Sequence, residues 1–494
     1  MAAVPLINTR VPPLSIACLA AFMKAEGHYV KSFDFNIETY TNVTPDLKEY
    51  WTFYKGFHWT DNSYFESYIY PNIIGKNIDS WVSRIMSEDP DIVGISVTNS
   101  PSAKILAQRI RKDYPHVKII IGGPKCSKTY DHPDYRPCEF YDVVVHNEGE
   151  LTLAEVVRNY QREGKFVATL GASCLGDNGE IIFPGLREVQ MEVDHFPTPD
   201  FDDFDFSRYV DADNPTSTFR EIPYWSSRGC PARCNFCMDY KMWDLRFRQK
   251  SPQRIVEEME YLSSRYGIYQ FMLIELIFNG HIPKMRELTQ ELVRRKHKFK
   301  MWGHGRVDPR MDLETMNTLR EAGFEWFIFG LETASDKVLK IMRKGYNKET
   351  ADRVLNNLRL SGINCSVNVI CGFPGEDWRD YRETIEFIYH HRKAIFHMPG
   401  LADCAVMPGS DLFLTPKKFA IKTEGNVPPP PLDWETEDGT NTLKVRLFRK
   451  EFMLKVFKQV CFKGKDGIEE DRPLEEIMPV DPEVEFRKLY PDHP

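Results

Sequence analysis

Three cysteines fall within eight residues, in Arg228-Gly229-Cys230-Pro231-Ala232-Arg233-Cys234-Asn235-Phe236-Cys237. Thiolates are the standard ligands of iron–sulfur clusters. A [4Fe–4S] cubane has four irons, and Cys230, Cys234 and Cys237 on one short loop can bind three of them. The fourth iron keeps open coordination sites, an arrangement suited to substrate chemistry rather than to electron transfer alone. Structural zinc would need a fourth ligand, commonly from a second CxxC-like pair. No such pair stands at suitable spacing, and His304 and Cys365 are isolated. The other eight cysteines (Cys18, Cys126, Cys138, Cys174, Cys365, Cys371, Cys404 and Cys461) are scattered, as small buried hydrophobes usually are. A disulfide framework belongs to small secreted chains, and this chain has 494 residues.

The elements that must hold this loop read as α/β. From residue 216 to 415, helix patterns at about 252–266, 282–296, 313–322, 348–361 and 377–390 alternate with strand-like runs at 271–274, 299–303, 326–329, 364–370 and 394–398. With the strand before Cys230 this makes six βα steps, too few for a closed eight-stranded barrel, and predicts an open partial (βα)6 barrel. Residues 1–160 alternate in the same way: a helix from Pro12 to Glu26, a strand from Tyr29 to Phe35, apolar strands at 91–98, 117–121 and 141–145, and helices at 102–114 and from Glu150 to about Tyr160. That order predicts a Rossmann-like, doubly wound parallel sheet, whose ligands sit beyond the carboxyl ends of the strands. Those ends carry Thr98, Asn99, Gly122, Gly123, Glu148 and Gly149. Residues 161–215 read as a connector with a hairpin turn at Gly176-Asp177-Asn178-Gly179. Residues 416–494 are a Pro-rich stretch, a helix from Leu443 to Gln459 and a charged tail.

CxxxCxxC after the first strand of a partial barrel, with aromatic Phe236 before the last cysteine, resembles the radical S-adenosylmethionine (SAM) superfamily. The resemblance runs on in order. Leu273-Ile274-Glu275-Leu276 lies where the family contacts the methionine amine of SAM, and Glu275 is the suitable residue there. Gly303-His304-Gly305-Arg306-Val307 resembles the segment with an Arg after strand 3. Gly330-Leu331-Glu332-Thr333-Ala334-Ser335 resembles the segment whose Glu reaches the SAM ribose or amine, and the pattern continues through Val338 to Gly345. Val369-Ile370-Cys371-Gly372-Phe373-Pro374-Gly375-Glu376 resembles the strand-5 segment beside adenine, and Met407-Pro408-Gly409-Ser410 the strand-6 exit. The resemblance implies that SAM chelates the open iron. An electron then splits SAM into methionine and a 5′-deoxyadenosyl radical, which takes hydrogen from an unactivated carbon.

Pro12-Pro13-Leu14, Gly94-Ile95-Ser96, Ile121-Gly122-Gly123-Pro124, Glu148-Gly149-Glu150 and Phe196-Pro197-Thr198-Pro199-Asp200-Phe201 resemble the subgroup with an N-terminal cobalamin-binding domain. The DxHxxG signature of an axial histidine is absent, which implies that no protein histidine occupies the lower face of the corrin. Only eleven residues precede Pro12, so the innermost strand is expected to be very short, missing, or lost through a misplaced start.

The expected activity is therefore a cobalamin-dependent radical SAM methylation, or ring closure, at an unactivated carbon of a small molecule. Its electron donor would be a flavodoxin or ferredoxin. Two rival readings stay open on the sequence: a cobalamin-free radical SAM enzyme of dehydration or rearrangement, and an iron–sulfur carrier or redox sensor. A tRNA methylthiolase would need three further cluster cysteines, and Cys18, Cys126 and Cys138 do not fit that spacing. The net charge of −8 carries no basic block of the kind that marks a nucleic-acid partner. No run of 18 apolar residues marks a transmembrane segment, and the N-terminus lacks the features of a signal peptide, so a cytoplasmic location is expected.

Overall fold

The computed structural model describes the chain except residues 6–7, 53–54, 99, 129–132, 240–245, 426, 461–472 and 494. Two units emerge: Met1–Tyr224 with Tyr261–Gln270, and Trp225–Glu260 with Phe271–Pro494.

The first unit is built on a sheet of β1 (Ala2–Ala3), β2 (Phe33–Asp34), β3 (Ile92–Ser96), β4 (Lys118–Gly122), β5 (Val143–Val145), β6 (Ala172–Leu175) and β7 (Ile181–Ile182). The strand order is β2-β1-β3-β4-β5-β6-β7. The first five run parallel, in registers such as Ile95↔Ile121 and Ile121↔Val144. The order 2-1-3-4-5 is one of the two common doubly wound arrangements. Ile119, Ile120, Ile121, Val143 and Val144 are all buried, as strands covered on both faces require. β1 has only two residues, yet it pairs with both neighbours. β6 and β7 add antiparallel, joined through the Gly176–Gly179 turn, so this hairpin extends the sheet.

The strand predicted over 29–35 is shorter. Asp34 accepts hydrogen bonds from the amides of Asn36 and Ile37 and starts a helix, Phe35–Asn42, at once. The aromatic segment beyond it, for which no period is evident in the sequence, holds wide π-type turns over Phe65–Ile74 and then the helix Gly75–Met86.

The second sheet comprises β8 (Ile222–Tyr224), β11 (Gln270–Leu273), β12 (Lys300–Gly305), β13 (Phe324–Glu332), β14 (Asn364–Cys371), β15 (Ile395–His397) and β16 (Leu401–Asp403). The order is β15-β14-β13-β12-β11-β8, with β16 beside β14, and β12 to β16 pair parallel. A two-stranded antiparallel ladder, β9 (Ser227–Arg228) with β10 (Arg248–Gln249), brackets the cysteine loop. The intervening helices start on side-chain caps: Asp312 before Leu313–Glu321, Asn347 before Lys348–Ser361, and a capping box of Asp377 and Asp380 on Trp378–His390. The C-terminal helix Leu443–Val460 carries Phe448, which meets both Trp378 and Phe486 of the last helix, Pro482–Leu489.

Candidate active site

Gly229, at φ +82°, turns the chain out of β9 into the cysteine loop. The middle of the loop is tied down by buried Asn235. Its amide donates to the Met342 carbonyl (3.0 Å), its side chain donates to the Ile341 carbonyl (2.6 Å), and its carbonyl accepts from the Leu412 amide (3.1 Å). Phe236 stands edge-on to Phe373, 6.4 Å between centroids. Cys230, Cys234 and Cys237 are free thiols; Cys234 is buried and the other two are half-buried. Burial pushes the Cys237 thiol up to about 12, and Asp239, Cys234 and Cys230 add to the rise. Burial raises Cys230 as well, against which the cations of Arg306 and Lys344 act. The thiols feel one another, and Arg306 and Lys344 set positive charge near Cys230. This donor set fits a cluster whose iron displaces the thiol protons, and the loop itself offers only three ligands.

Charged side chains stand at the neighbouring strand exits. Glu275, past β11, is buried and accepts from the amides and hydroxyls of Ser226 and Ser227 at 2.6–2.9 Å. It therefore holds down the start of β9. Burial drives its carboxyl up to about 7, with these hydrogen bonds opposing. Arg306, past β12, exchanges main-chain hydrogen bonds with the Asn279 side chain and donates to the Lys344 carbonyl. Glu332 ends β13 at φ +65°, beside a register shift in its pairing with β14. A non-glycine residue held there is strained by roughly 1–3 kcal/mol. The conformation brings its carboxylate 3.2 Å from the Lys344 ammonium, both side chains nearly buried. Burial disfavours the Lys344 charge, but Glu332, Tyr346 and Cys234 outweigh it and hold the amine above the usual lysine range. Lys344, Tyr346 and Asn279 were not singled out by the sequence reading. Lys344 does lie within the Val338–Gly345 run that continues the family pattern, the one signal that could have found it.

The fifth exit is a turn closed by its own acid. Gly372 (φ +73°) donates its amide to Glu376 at 2.6 Å, and Pro374 stands at the tip between Phe373 and Gly375 (φ +90°). Phe373 is buried with Val338, Met342, Leu412 and Trp434, and Phe236 packs against the same cluster.

In the first unit, the chosen residues gather at the carboxyl ends of β3, β4 and β5. Gly123 has φ +116°, and a Cβ there would stand 2.5 Å from the Val97 carbonyl oxygen, so glycine alone fits. Gly122 accepts the Val97 amide. Thr98 is half-buried just beyond, and Asn99 lies outside the described residues. Glu148 and Gly149 lead into the helix Glu150–Glu163. His146, beside them, is buried. One ring nitrogen meets the Cys126 carbonyl (2.5 Å) and the other the Ser173 hydroxyl (2.6 Å), so neither points to a ligand. Among the described residues the rim is main-chain-rich and offers no histidine, which suits a corrin bound without a protein histidine on its lower face.

Residues 226–388 match the radical SAM superfamily, and residues 63–157 match the B12 binding domain. The chain is a radical SAM enzyme with a B12-binding domain. Its cofactors are a [4Fe–4S] cluster, SAM and cobalamin. It is similar to an uncharacterized methyltransferase of Pyrococcus horikoshii, 25% identical over 388 residues that make up 77% of this chain and 74% of the relative. It is also similar to the anaerobic magnesium-protoporphyrin IX monomethyl ester cyclase of Rubrivivax gelatinosus, 25% identical over 81% of this chain and 66% of the relative. Among solved structures, the cobalamin-dependent SAM radical enzyme OxsB with aqua-cobalamin superposes with a TM-score of 0.65 at 18% identity, over 93% of this chain and 67% of OxsB. The radical SAM methyltransferase TsrM from Kitasatospora setae superposes with a TM-score of 0.61 at 17% identity, over 87% of this chain and 79% of TsrM. At such identities the superpositions speak for the fold. Among the described residues, no helix of this radical SAM enzyme is long and apolar enough to cross a membrane.

Proposed function

We propose that this radical SAM enzyme transfers a methyl group to an unactivated carbon of a small molecule in the cytoplasm, with a flavodoxin or ferredoxin as electron donor. The observation that carries the reading is the set of three free thiols on one Asn235-anchored loop, with the cations of Arg306 and Lys344 near Cys230, in a chain that also has a B12-binding domain. When bound, the cluster and SAM supply a carbon-centred oxidant, and cobalamin supplies the methyl group.

The chain's own residues would do the holding. Cys230, Cys234 and Cys237 ligate three irons. Arg306 and Lys344 put positive charge against thiolates and against the carboxylate of SAM. Glu332, paired with Lys344, would face the ribose or amine of SAM, and Glu275 orders Ser226 and Ser227 at the start of β9. Gly372 and Pro374 form the wall for adenine. Gly122, Gly123, Thr98, Glu148 and Gly149 would present main chain and side chains to the corrin, and Asn99, outside the described residues, is assigned to the same site. The domain limits that go with this reading are 1–160, 161–215, 216–415 and 416–494.

A second reading, ring closure, is favoured by the similarity to the cyclase over 81% of the chain. Anaerobic reconstitution followed by iron, corrin-absorbance and 5′-deoxyadenosine assays tests the common part. S-adenosylhomocysteine accompanying 5′-deoxyadenosine marks methyl transfer, and its absence during substrate turnover marks ring closure. A chain that takes up iron but never yields 5′-deoxyadenosine overturns both.

A further inference from the structure

The helix Leu443–Val460 sits behind the Gly372–Glu376 turn and is in contact with its main chain. Arg449 and Glu376 form an ion pair at 2.7 Å, each side chain 2% exposed. The same Glu376 oxygen accepts the Gly372 amide at 2.6 Å. The guanidinium of Arg449 is fixed in turn over the Trp378 ring at 4.4 Å, and the Arg449 carbonyl accepts the Tyr381 hydroxyl at 2.7 Å. The carbonyl of Gly372 accepts from the Asn441 side chain at 2.9 Å. Arg446 closes the remaining side: a Cβ on Gly372 would overlap its Cγ, and its guanidinium donates to the carbonyls of Leu432 (2.7 Å) and Trp434 (2.8 Å). Both peptide groups of Gly372 are thus bonded within this arrangement, one through Glu376 and Arg449 and one directly to Asn441.

A buried ion pair is weak support for stability, because an apolar pair of like volume commonly does as well. What a buried pair supplies is direction: the Arg449 guanidinium fixes the Glu376 oxygen that accepts the Gly372 amide, since a desolvated carboxylate needs a counter-cation at a fixed place. The turn is also coupled to the cluster loop, since Phe373 is packed against Phe236, the residue before Cys237.

We propose that Arg449, with Asn441 and Arg446, is a positioning residue for SAM: the C-terminal helix sets the orientation of the Gly372–Pro374 wall relative to Phe236 and the cysteine loop. This rests on the reading of that wall as the adenine contact. The C-terminal segment then serves cofactor binding, whatever it also does for substrate choice.

The test uses reconstituted full-length enzyme. Arg449→Gln is expected to raise the KM for SAM in 5′-deoxyadenosine formation about tenfold, with kcat at saturating SAM and iron per chain little changed. The SAM-induced change in the EPR spectrum of the reduced cluster should move to higher SAM concentration by the same factor. Arg449→Lys, which keeps the charge, should recover part of both. Asn441→Ala, which removes one hydrogen bond to Gly372, should shift both in the same direction by about threefold. Wild-type KM and EPR titration in Asn441→Ala and Arg449→Gln, with only a lowered melting temperature, would make the contacts structural and overturn the proposal. Should Arg449→Gln not fold, Asn441→Ala decides alone, and an unshifted EPR titration overturns it. A wild-type cluster that never responds to SAM removes the functional reading itself, a different result from unshifted variants.

Discussion

The two units place their candidate residues at the same kind of position, the carboxyl ends of parallel strands, but they equip those ends differently. In the first unit the exits of β3, β4 and β5 are shaped by what is missing. Gly123 has no room for a side chain, and the buried imidazole of His146 is occupied on both nitrogens. In the second unit the exits of β11 to β14 are shaped by charge: Glu275 on two serines, Glu332 on Lys344, Glu376 on Arg449. A bulky, largely uncharged macrocycle is held by shape and main chain, whereas a zwitterionic sulfonium on a metal needs fixed charges. Parallel strand exits would thus suit two ligand chemistries, with glycine and main chain in one sheet and charged side chains in the other.

The contrast can be broken most forcefully at the thiols. Cys230→Ala should abolish 5′-deoxyadenosine formation and strip the iron, while corrin absorbance persists. Loss of cobalamin together with iron would mean the two units do not bind independently. Next in size, Lys344→Met removes the partner of the nearly buried Glu332 side chain, which should destabilise the second unit by about 3–5 kcal/mol. The paired change Glu332→Gln with Lys344→Met should restore most of the thermal stability without restoring the affinity for SAM, as a melting curve and an EPR titration would separate. Gly123→Ala forces both a left-handed backbone and a clash with Val97, a cost of about 2–3 kcal/mol. Corrin uptake should fall while iron content stays near four per chain. A variant that retained full corrin absorbance would remove shape as the first unit's device.

The smallest effect concerns pH. Burial raises the Glu275 carboxyl to about 7 in the folded chain, from 4.5. The folded protein therefore holds this proton more tightly than the unfolded one. The stability it contributes is complete below the unfolded value and is lost as pH rises toward the folded one. Between pH 5 and 6 the loss should be about 1 kcal/mol, and Glu275→Gln should flatten that part of the denaturation profile. An unchanged slope would place the titration elsewhere.

Much of this was legible beforehand because local signals and fold agree. The strand runs of the second unit recur within two residues of their predicted limits except for β13, whose ladder runs on to Glu332 at the register shift. The hairpin turn at Gly176–Gly179 falls where the glycines put it. Other features had no local signal. β1 is two residues long and is a strand only because β2 and β3 flank it. The stretch from 43 to 74 is rich in aromatics without a period, and its Phe65–Ile74 helix contains Pro71. Arg446 and Arg449 read as ordinary polar positions of the C-terminal helix, and Asn441 as one just before it, since only the fold brings them to the Gly372–Glu376 turn, about seventy residues earlier. Glu275 showed its type and place in the sequence, but not that its carboxylate would be engaged by Ser226 and Ser227.

The anchors of the cysteine loop have a further consequence. Asn235 fastens it through amides and carbonyls, and Glu275 through two serines, so these fastenings are independent of sulfur or iron. An enzyme whose cluster is destroyed by oxygen would keep its three thiols assembled. Recovery would then require only reductant, iron and sulfide, on the timescale of diffusion and ligation, and the chain could be repaired many times before it had to be made again.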